Sequence, residues 1–193
     1  MKWTDQSPPA DLPLFQDQST GKHARRTLTT GDQSAAASIV TIDAAVHQTV
    51  LAHLRTSNKE LGGLLLGRAW GNPENPVEAA WVEVLASIPA TDSSGTGYSL
   101  RMGAGVWSAA NAGLDDLNAA ASAQTKGENA ARIIGWYHSH PGLGAFFSAT
   151  DRTTQAAFFT NAYSIGWVID PSDDTHACFV GPDSRTVAQC VLV

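Results

Sequence analysis

Residues 135–151 read GWYHSHPGLGAFFSATD and place two imidazoles, a hydroxyl and a carboxylate within one short stretch. His138 and His140 stand one residue apart, and side chains two residues apart on a strand point to the same face. This spacing can bring two imidazoles to one metal ion. An isolated His-x-His pair is more often two solvated histidines at a strand end, so the interpretation requires a third ligand.

Asp151 is the candidate third ligand, in the run Ser148-Ala-Thr-Asp151. The same run fits a helix N-terminal cap, because a serine hydroxyl accepts a first-turn N–H and an acidic residue favours the helix N-terminus. Pro141 would end the strand, and Gly142 and Gly144 permit a tight loop that returns the chain toward the histidines. Two histidines and one aspartate give a tetrahedral zinc ion three protein ligands and leave one position for water.

Hydrolysis is the chemistry that this set favours. Two His and one carboxylate also describe non-haem iron sites, but the nearby Ser148 hydroxyl can donate to the oxyanion that forms when a zinc-bound water attacks a carbonyl. A further group must take the water's proton and return it to the leaving amine. The best candidate is Glu60, which opens the apolar run ELGGLLLG and would otherwise be interpreted as a solvated strand end.

The elements that must position these residues alternate between helix and strand patterns. Helices are predicted from Asp43 to about Ser57, over 106–124, and over SATDRTTQAAFFTNA from its Ser148 cap. Strands are predicted for SIVTI, ELGGLLLGRAWG, EAAWVEVLASIPA, ARIIGWYHSH, YSIGWVID, HACFVG and RTVAQCVLV. The pattern indicates a single α/β (α+β) domain, with about six or seven strands in a mixed sheet and two or three helices.

Two stretches interrupt this alternation. Residues 1–37 hold three of the nine prolines and no helix or strand period. They are predicted to form a flexible N-terminal extension, or else a segment that docks on the domain or on a partner through Trp3, Leu14 and Phe15. The domain would then occupy residues 38–193. Residues 91–105, TDSSGTGYSLRMGAG, are too long and too rich in glycine for a tight turn.

The bulk properties restrict the class of function. A formal charge of −6 and a pI near 5.4 argue against sequence-independent binding to nucleic acid, which needs a basic surface. Cys178 and Cys190 are too few for a disulfide framework, and their apolar surroundings predict buried free thiols. The N-terminus lacks a signal-peptide core, and no segment approaches the about 18 apolar residues of a membrane span. We therefore expect a soluble, cytoplasmic protein.

The order ELGGLLLG, then HSHPGLGAFFSATD, resembles the signature of the JAMM (MPN-plus) metalloproteases: a Glu, then His-x-His-Pro, then Ser-x-x-Asp. The stretch IIGWYHSHPGLGAFFSATDRTTQ is similar in particular to the deubiquitylating subunit of the proteasome lid, and SIGWVIDP resembles the strand that follows in the family. The resemblance covers roughly residues 39–173. It implies a curved sheet flanked by helices, zinc bound by His138, His140 and Asp151, Glu60 as general acid/base, and Ser148 as oxyanion donor.

Enzymes of this family cleave isopeptide or peptide bonds after the C-terminal glycine of ubiquitin or ubiquitin-like proteins. The resemblance implies a ubiquitin-like protein and its conjugates as partners, with the associated activating and conjugating enzymes. The acidic charge and the lack of a long apolar segment argue against nucleic-acid and membrane partners. The alanine-rich composition suggests a bacterial member, and bacterial relatives occur in operons for ubiquitin-like conjugation, some tied to phage defence. Residues 91–105 would lie beside the extended tail of the substrate.

Three other interpretations stay open at this point. The protein could be a peptidase that trims a sulfur-carrier protein, or a non-catalytic module that holds a ubiquitin-like protein, although such a module has no need of both Glu60 and Asp151. It could also be a relative of the JAMM-like proteins once linked to DNA repair. Those proteins carry Pro-Ser before the final aspartate, where this chain has Phe147-Ser148, and the acidic charge also speaks against that alternative.

Overall fold

The computed structural model describes Pro13 and residues 26–30, 38–72, 79–91, 103–121 and 129–193. Within these residues the chain forms nine strands and three helices. The strands are β1 (Arg26–Thr30), β2 (Ile39–Ile42), β3 (Gly62–Gly71), β4 (Ala79–Pro89), β5 (Arg132–Ser139), β6 (Ile165–Asp170), β7 (Thr175–Val180), β8 (Arg185–Thr186) and β9 (Gln189–Leu192). The helices are α1 (Ala44–Leu54), α2 (Ala104–Ala120) and α3 (Ala149–Phe158).

The strands form one mixed sheet in the order β1-β9-β2-β4-β3-β5-β6-β7-β8. β2 runs parallel to β4 and β9, β5 runs parallel to β6, and the other pairs are antiparallel. A flat sheet would separate β1 from β7 by roughly 34 Å at about 4.8 Å per strand. Instead the guanidinium of Arg26 in β1 lies 2.8 Å from the carboxylate of Asp174, just before β7. The sheet is therefore curved, and the predicted class, an α/β domain with a curved mixed sheet and flanking helices, is confirmed.

Both faces of the central strands are buried. Leu65 of β3 belongs to the apolar cluster that α1 covers, whereas Leu64 and Leu66 belong to the cluster that α2 covers. Strands that are covered on both faces have continuous apolar sequences rather than alternating apolar and polar residues. This explains the run of three leucines in β3, the strand that lies beside β5 at the centre of the sheet.

The first helix begins where the sequence predicts and ends earlier. Asp43 caps α1, and its carboxylate accepts a first-turn backbone N–H at 2.7 Å. The helix stops at Leu54 rather than near Ser57, because the chain tightens into a turn in which the N–H of Thr56 donates to the carbonyl of His53 at 3.1 Å. Tight i to i+3 bonds of this kind commonly end helices.

The third helix is also shorter than predicted. It begins after Ser148, as expected, but it ends at Phe158 rather than at Ala162. Phe159 leaves the helical conformation with a φ of −121°, and its buried ring stacks on Trp136 with centroids 5.7 Å apart. Burial of this ring in the core therefore ends the helix, and the local pattern carries no sign of that contact.

The prediction that residues 1–37 contain no strand is wrong for Arg26–Thr30, which form β1 and pair antiparallel with β9. The carbonyl of Pro13 also accepts a hydrogen bond from the N–H of Gly71 at 2.9 Å. These two pieces fit the docking alternative rather than a flexible extension. Trp3, Leu14 and Phe15 lie outside the described residues, and the domain boundary at residue 38 stays a prediction.

The predicted last strand, RTVAQCVLV, is two strands. The N–H of Val187 donates to Cys178 of β7, whereas the N–H of Ala188 donates to Ser38, beside β2. The chain thus changes its pairing partner between these two residues, which separates β8 from β9. As predicted, Cys178 and Cys190 are buried free thiols.

The glycine-rich segment adjoins the second helix. α2 begins at Ala104, slightly before the predicted start at 106, and ends at Ala120, where the next residue turns to an extended conformation. Residues 92–102 and 122–128 lie outside the described residues, so the expected contact of the segment 91–105 with a substrate tail stays a prediction. Among the helices in the described part of the chain, none has the length and apolarity to cross a membrane.

Candidate metal centre

β5 carries the first histidine to the middle of the sheet. His138 pairs with Gly62 of β3 on one side and with Val168 of β6 on the other. His140 lies one residue beyond the strand rather than within it, but its N–H donates to the carbonyl of Ile169 at 3.0 Å. That bond continues the direction of the strand. The two imidazoles therefore lie together, with ring centroids 4.9 Å apart.

The loop after His140 returns the chain so that α3 begins beside the histidines. Ser148 and Asp151 form a reciprocal capping box: the N–H of Ser148 donates to Asp151 Oδ2 at 2.7 Å, and the N–H of Asp151 donates to Ser148 Oγ at 3.2 Å. Asp151 Oδ1 lies 3.2 Å from His138 Nε2, and Oδ2 lies 3.5 Å from His140 Nε2. The structure thus brings the three predicted ligands together, with one ligand atom from each within 4.8 Å of the others.

The donor atoms fit a divalent metal ion. His138 and His140 are buried, yet both ring nitrogens of His138 and Nδ1 of His140 have no hydrogen-bond partner within the described residues. Burying such nitrogens without a partner costs free energy. An ion held by one imidazole nitrogen of each histidine and a carboxylate oxygen would give a partner to at least one of these nitrogens. This donor set suits zinc with one position open.

The surroundings shift the pKa values of the two histidines in opposite directions. Burial lowers the pKa of His138, and Asp151 offsets this only in part. Burial also lowers the pKa of His140, but Asp151, Glu60 and Asp170 raise it by more, so its pKa is raised. Burial alone would raise the pKa of Asp151, whereas the adjacent imidazoles of the two histidines and the contact with Ser148 hold that pKa well below its usual range. The candidate ligand is therefore an ionised carboxylate.

Glu60 lies at the edge of this cluster. Its Oε1 is 3.9 Å from His140 Nε2, and 16% of its side chain is exposed. It precedes β3 by two residues rather than opening the strand as predicted. Burial raises its pKa, with Asp151 adding to the rise and His140 opposing it. A carboxyl group with a raised pKa in this position is suited to taking up and returning a proton.

Ser139 fixes the backbone next to Glu60. The N–H of Leu61 donates to the Ser139 hydroxyl oxygen at 3.1 Å, and the N–H of Ser139 donates to the carbonyl of Leu61 at 2.9 Å. Ser139 is fully buried, and alternation along β5 turns its side chain away from the two imidazoles. The residue between the two histidines thus holds the segment that carries the candidate acid/base.

The Ser148 hydroxyl can serve as a cap and as a donor at the same time. Its oxygen accepts the N–H of Asp151, which uses a lone pair and not the hydroxyl hydrogen. The strong capping interpretation of Ser-x-x-Asp and the oxyanion interpretation therefore do not compete for the same atom.

Trp136 and Gln155 support the centre but were not predicted from the sequence. Trp136 stacks on the His138 ring with centroids 4.4 Å apart, and its indole N–H donates to Gln155 Oε1 at 2.6 Å. Gln155 Nε2 donates in turn to the carbonyls of Ser164 and Gly181. The spacing of Trp136, two residues before His138 on the same strand face, was a usable signal. Gln155 lies 19 residues after Trp136, and the two side chains meet only because the fold places α3 beside β5.

Residues 43–179 match the family of prokaryotic homologs of the JAB domain. Since this match spans well over half of the chain, the protein belongs to the JAB/JAMM family of domains. Within that family it falls in the group described as prokaryotic, which agrees with the motif resemblance and with the fold.

The relatives match only parts of the chain. The ubiquitin carboxyl-terminal hydrolase RPN11 of Saccharomyces cerevisiae is 45% identical over 40 residues, which is 20% of this chain and 13% of that protein. The NAD(+) hydrolase TcpA of a Theionarchaea archaeon is 33% identical over 113 residues, which is 58% of this chain and 27% of that protein. This chain thus spans a small part of either relative, and neither printed activity is tied by the match to the shared part.

A solved structure agrees with the fold. The solution structure of a Desulfitobacterium hafniense protein superposes with a TM-score of 0.57 at 20% identity, over 80% of this chain and 92% of that one. At this identity the likeness supports the architecture alone.

Proposed function

We propose that the protein is a zinc-dependent isopeptidase or peptidase that cleaves after the C-terminal glycine of a ubiquitin-like protein. The observation that carries the proposal is the position of Glu60, whose carboxylate lies 3.9 Å from His140 beside the complete His138, His140, Asp151 set. Three ligands with one open position permit catalysis but do not by themselves supply a group that transfers protons. A partly buried carboxyl group with a raised pKa next to them has a use in proton transfer, and a module that only holds a partner does not need it.

Each residue of the site has a separate role in the proposed reaction. His138, His140 and Asp151 would hold the ion, which when bound would polarise the scissile carbonyl and lower the pKa of a water molecule. Glu60 takes a proton from the attacking water and delivers it to the departing amine, which is a poor leaving group when unprotonated. The Ser148 hydroxyl donates to the carbonyl oxygen as negative charge develops on it.

The proposed partners follow from the family and from one relative. The yeast relative is named a ubiquitin carboxyl-terminal hydrolase, and the family to which this chain belongs is prokaryotic. We therefore take the substrate to be a prokaryotic ubiquitin-like protein and its conjugates, with activating and conjugating enzymes as further partners. A net charge of −6 fits a protein substrate better than nucleic acid.

Single-turnover cleavage tests the proposal. Two substrates carry the same ubiquitin-like C-terminus, one as a linear fusion and one linked to a lysine side chain, and zinc is measured on each enzyme sample. We expect Glu60→Gln to keep its zinc and fold while turnover falls about 10²–10⁴-fold, the usual contribution of a positioned acid/base group. Glu60→Asp keeps the carboxylate on a shorter side chain, and its turnover should lie between those of the wild type and Glu60→Gln.

The outcomes separate the alternatives. Cleavage of the linear fusion alone would favour precursor trimming, as for a sulfur-carrier protein, over deconjugation. If the zinc-loaded wild type binds both substrates but cleaves neither, the protein would be a non-catalytic module that holds a ubiquitin-like protein. A fully active, zinc-loaded Glu60→Gln protein would remove Glu60 from the mechanism.

A further inference from the structure

The loop from His140 to Ser148 joins one candidate zinc ligand to the cap of the helix that carries another. Asp170, the last residue of β6, is 2% exposed and directs its carboxylate to this loop. Its Oδ1 accepts the N–H of Gly142 at 3.0 Å, and its Oδ2 accepts the N–H of Gly144 at 2.8 Å. One buried carboxylate thus bonds two backbone groups of the loop, one with each oxygen.

The same carboxylate is anchored from its own side. Ser172 donates to Oδ1 with its backbone N–H at 3.0 Å and with its hydroxyl at 2.6 Å. Burial alone would raise the pKa of Asp170, but the bonds from Ser172, Gly142 and Gly144 hold that pKa below its usual range. Asp170 is therefore a fixed anion, whose position is set by β6 and by the turn that follows.

The first part of the loop has a backbone conformation that glycine favours. Gly142 and Gly144 have φ values of 73° and 83°, in the left-handed region, and a Cβ on either would meet nothing within 4 Å. The glycines are thus required by backbone conformation and not by lack of space. Chains that contain such glycines are conformationally free unless other contacts fix them. Within the loop, the N–H of Leu143 donates to the carbonyl of His140 at 3.1 Å.

The positions of the side chains on the loop depend on this conformation. The Phe146 ring packs against the His140 ring with centroids 4.8 Å apart, yet 47% of Phe146 is exposed, as is 60% of Leu143. His140 is also joined to β6 through the carbonyl of Ile169, the residue before Asp170. The end of β6 therefore holds both the ligand and the loop that follows it.

We propose that Asp170 is a positioning residue of the metal centre, which fixes the loop 141–147 so that His140 and Ser148 keep their places around the ion and the substrate. The inference rests on the proposed function for its effect on turnover. Its effect on the loop and on metal affinity does not depend on any substrate. Residues that orient metal ligands from outside typically contribute about 10–100-fold in metal affinity or activity.

A matched pair of variants tests this role. Asp170→Asn keeps one acceptor oxygen and replaces the other with an NH₂ group, so one of the two glycine N–H groups loses its acceptor. Asp173→Asn makes the same change in the adjacent turn, where the carboxylate bonds the backbone N–H and the hydroxyl of Thr175 and not the loop. We expect faster amide hydrogen exchange at Gly142 or Gly144, whichever faces the NH₂ group, in Asp170→Asn alone, with zinc binding and turnover about 10–100-fold weaker.

Gly144→Ala provides a second route, because it disfavours the φ of 83° and leaves the buried carboxylate intact. Gly144→Ala should also weaken zinc binding and turnover. It tests the role of the loop even if Asp170→Asn does not fold. Unchanged zinc affinity and turnover in either folded variant would overturn the proposal. A wild type that binds zinc but cleaves no ubiquitin-like substrate would instead count against the proposed function, and the exchange and affinity results would still decide the role of Asp170.

Discussion

Among the described residues, two clusters contain the same residue types, two histidines and one aspartate with ligand atoms within 4.8 Å of one another. The first cluster is His138, His140 and Asp151. The second cluster comprises His47 in α1, His176 in β7, and Asp174 in the turn before β7. On composition and distance alone, both clusters are candidates for a metal ion.

The partners around the second cluster distinguish it from the first. The indole N–H of Trp167 donates to His176 Nδ1 at 3.2 Å, so a neutral His176 carries its proton on Nε2, which is 3.0 Å from Asp174 Oδ1. The Asp174 carboxylate also already pairs with the guanidinium of Arg26 at 2.8 Å. A metal ion at the second cluster would have to displace the Nε2 proton of His176 and the guanidinium of Arg26 from Asp174. Outer partners, and not the ligand types, therefore decide which cluster suits an ion.

The largest expected contrast is in metal content. His138→Ala and Asp151→Ala should lose zinc, because two remaining ligands hold it poorly, whereas His47→Ala and Asp174→Ala should keep about one zinc per chain, as the wild type does. Elemental analysis of the four purified variants measures this. Loss of zinc from the second pair, or two zinc ions in the wild type, would remove the distinction between the clusters.

The next contrast concerns Ser148, which joins the first cluster through the capping box. Ser148→Ala should keep zinc while single-turnover cleavage slows by about 10²–10³-fold, the usual effect of losing one oxyanion donor. The lost cap should itself cost about 1 kcal/mol of folding stability. Ser148→Thr retains a hydroxyl for both roles and is the control. Equal rates for the alanine and threonine variants would restrict Ser148 to capping.

The second cluster should show itself in the pH dependence of stability. Burial, together with His47 and Arg26, lowers the pKa of His176 to about 4, although Asp174 opposes the shift. The unfolded chain then binds a proton between about pH 6.5 and pH 4 that the folded chain does not. Stability from this group is complete above that window and is lost as the pH falls through it, by at most roughly 3 kcal/mol.

Urea unfolding in the presence of a chelator measures this window. The loss of unfolding free energy between pH 7 and pH 4 should be smaller for His176→Gln than for the wild type. Parallel profiles for the two proteins would contradict the lowered pKa of His176 in the folded state.

The smallest expected effect belongs to Ser139. Ser139→Ala removes the acceptor of the Leu61 N–H and should loosen the segment that holds Glu60 beside the first cluster. We expect turnover to fall about tenfold, the lower end for residues that orient a metal centre from outside, with zinc retained. Amide hydrogen exchange at Leu61 should become faster, and Ser139→Thr should restore both values. Slow exchange at Leu61 in the alanine variant would contradict the assignment.

The parts of the centre that the sequence predicts are those encoded by short-range spacing. His138, His140, Ser148 and Asp151 lie within fourteen residues, where strand alternation and helix capping determine relative placement. Glu60 is indicated by its place at the head of an apolar run, and the resemblance adds its long-range pairing with the His-x-His motif. The metal-ligand roles and catalytic roles of all five stay predictions until they are measured.

Other features could not be predicted because they depend on contacts distant in sequence. β1 forms because β9 offers it a partner, although RTLTT alone is too short for a clear strand pattern. Asp170 stands after the apolar run of β6 and reads as a turn residue before proline, yet its carboxylate bonds a loop 26 and 28 residues earlier. The contact between Arg26 and Asp174 likewise joins residues 148 positions apart in sequence.

The capping box has a consequence for the entropy of metal binding. A free aspartate loses rotamer freedom when it binds an ion, and that loss weakens affinity. Asp151 has already lost this freedom when α3 forms, because the N–H of Ser148 holds one of its oxygens at 2.7 Å. The ordering therefore takes place during folding and not during binding. Helix initiation prepares the ligand, so the centre should capture its ion with little rearrangement of the carboxylate.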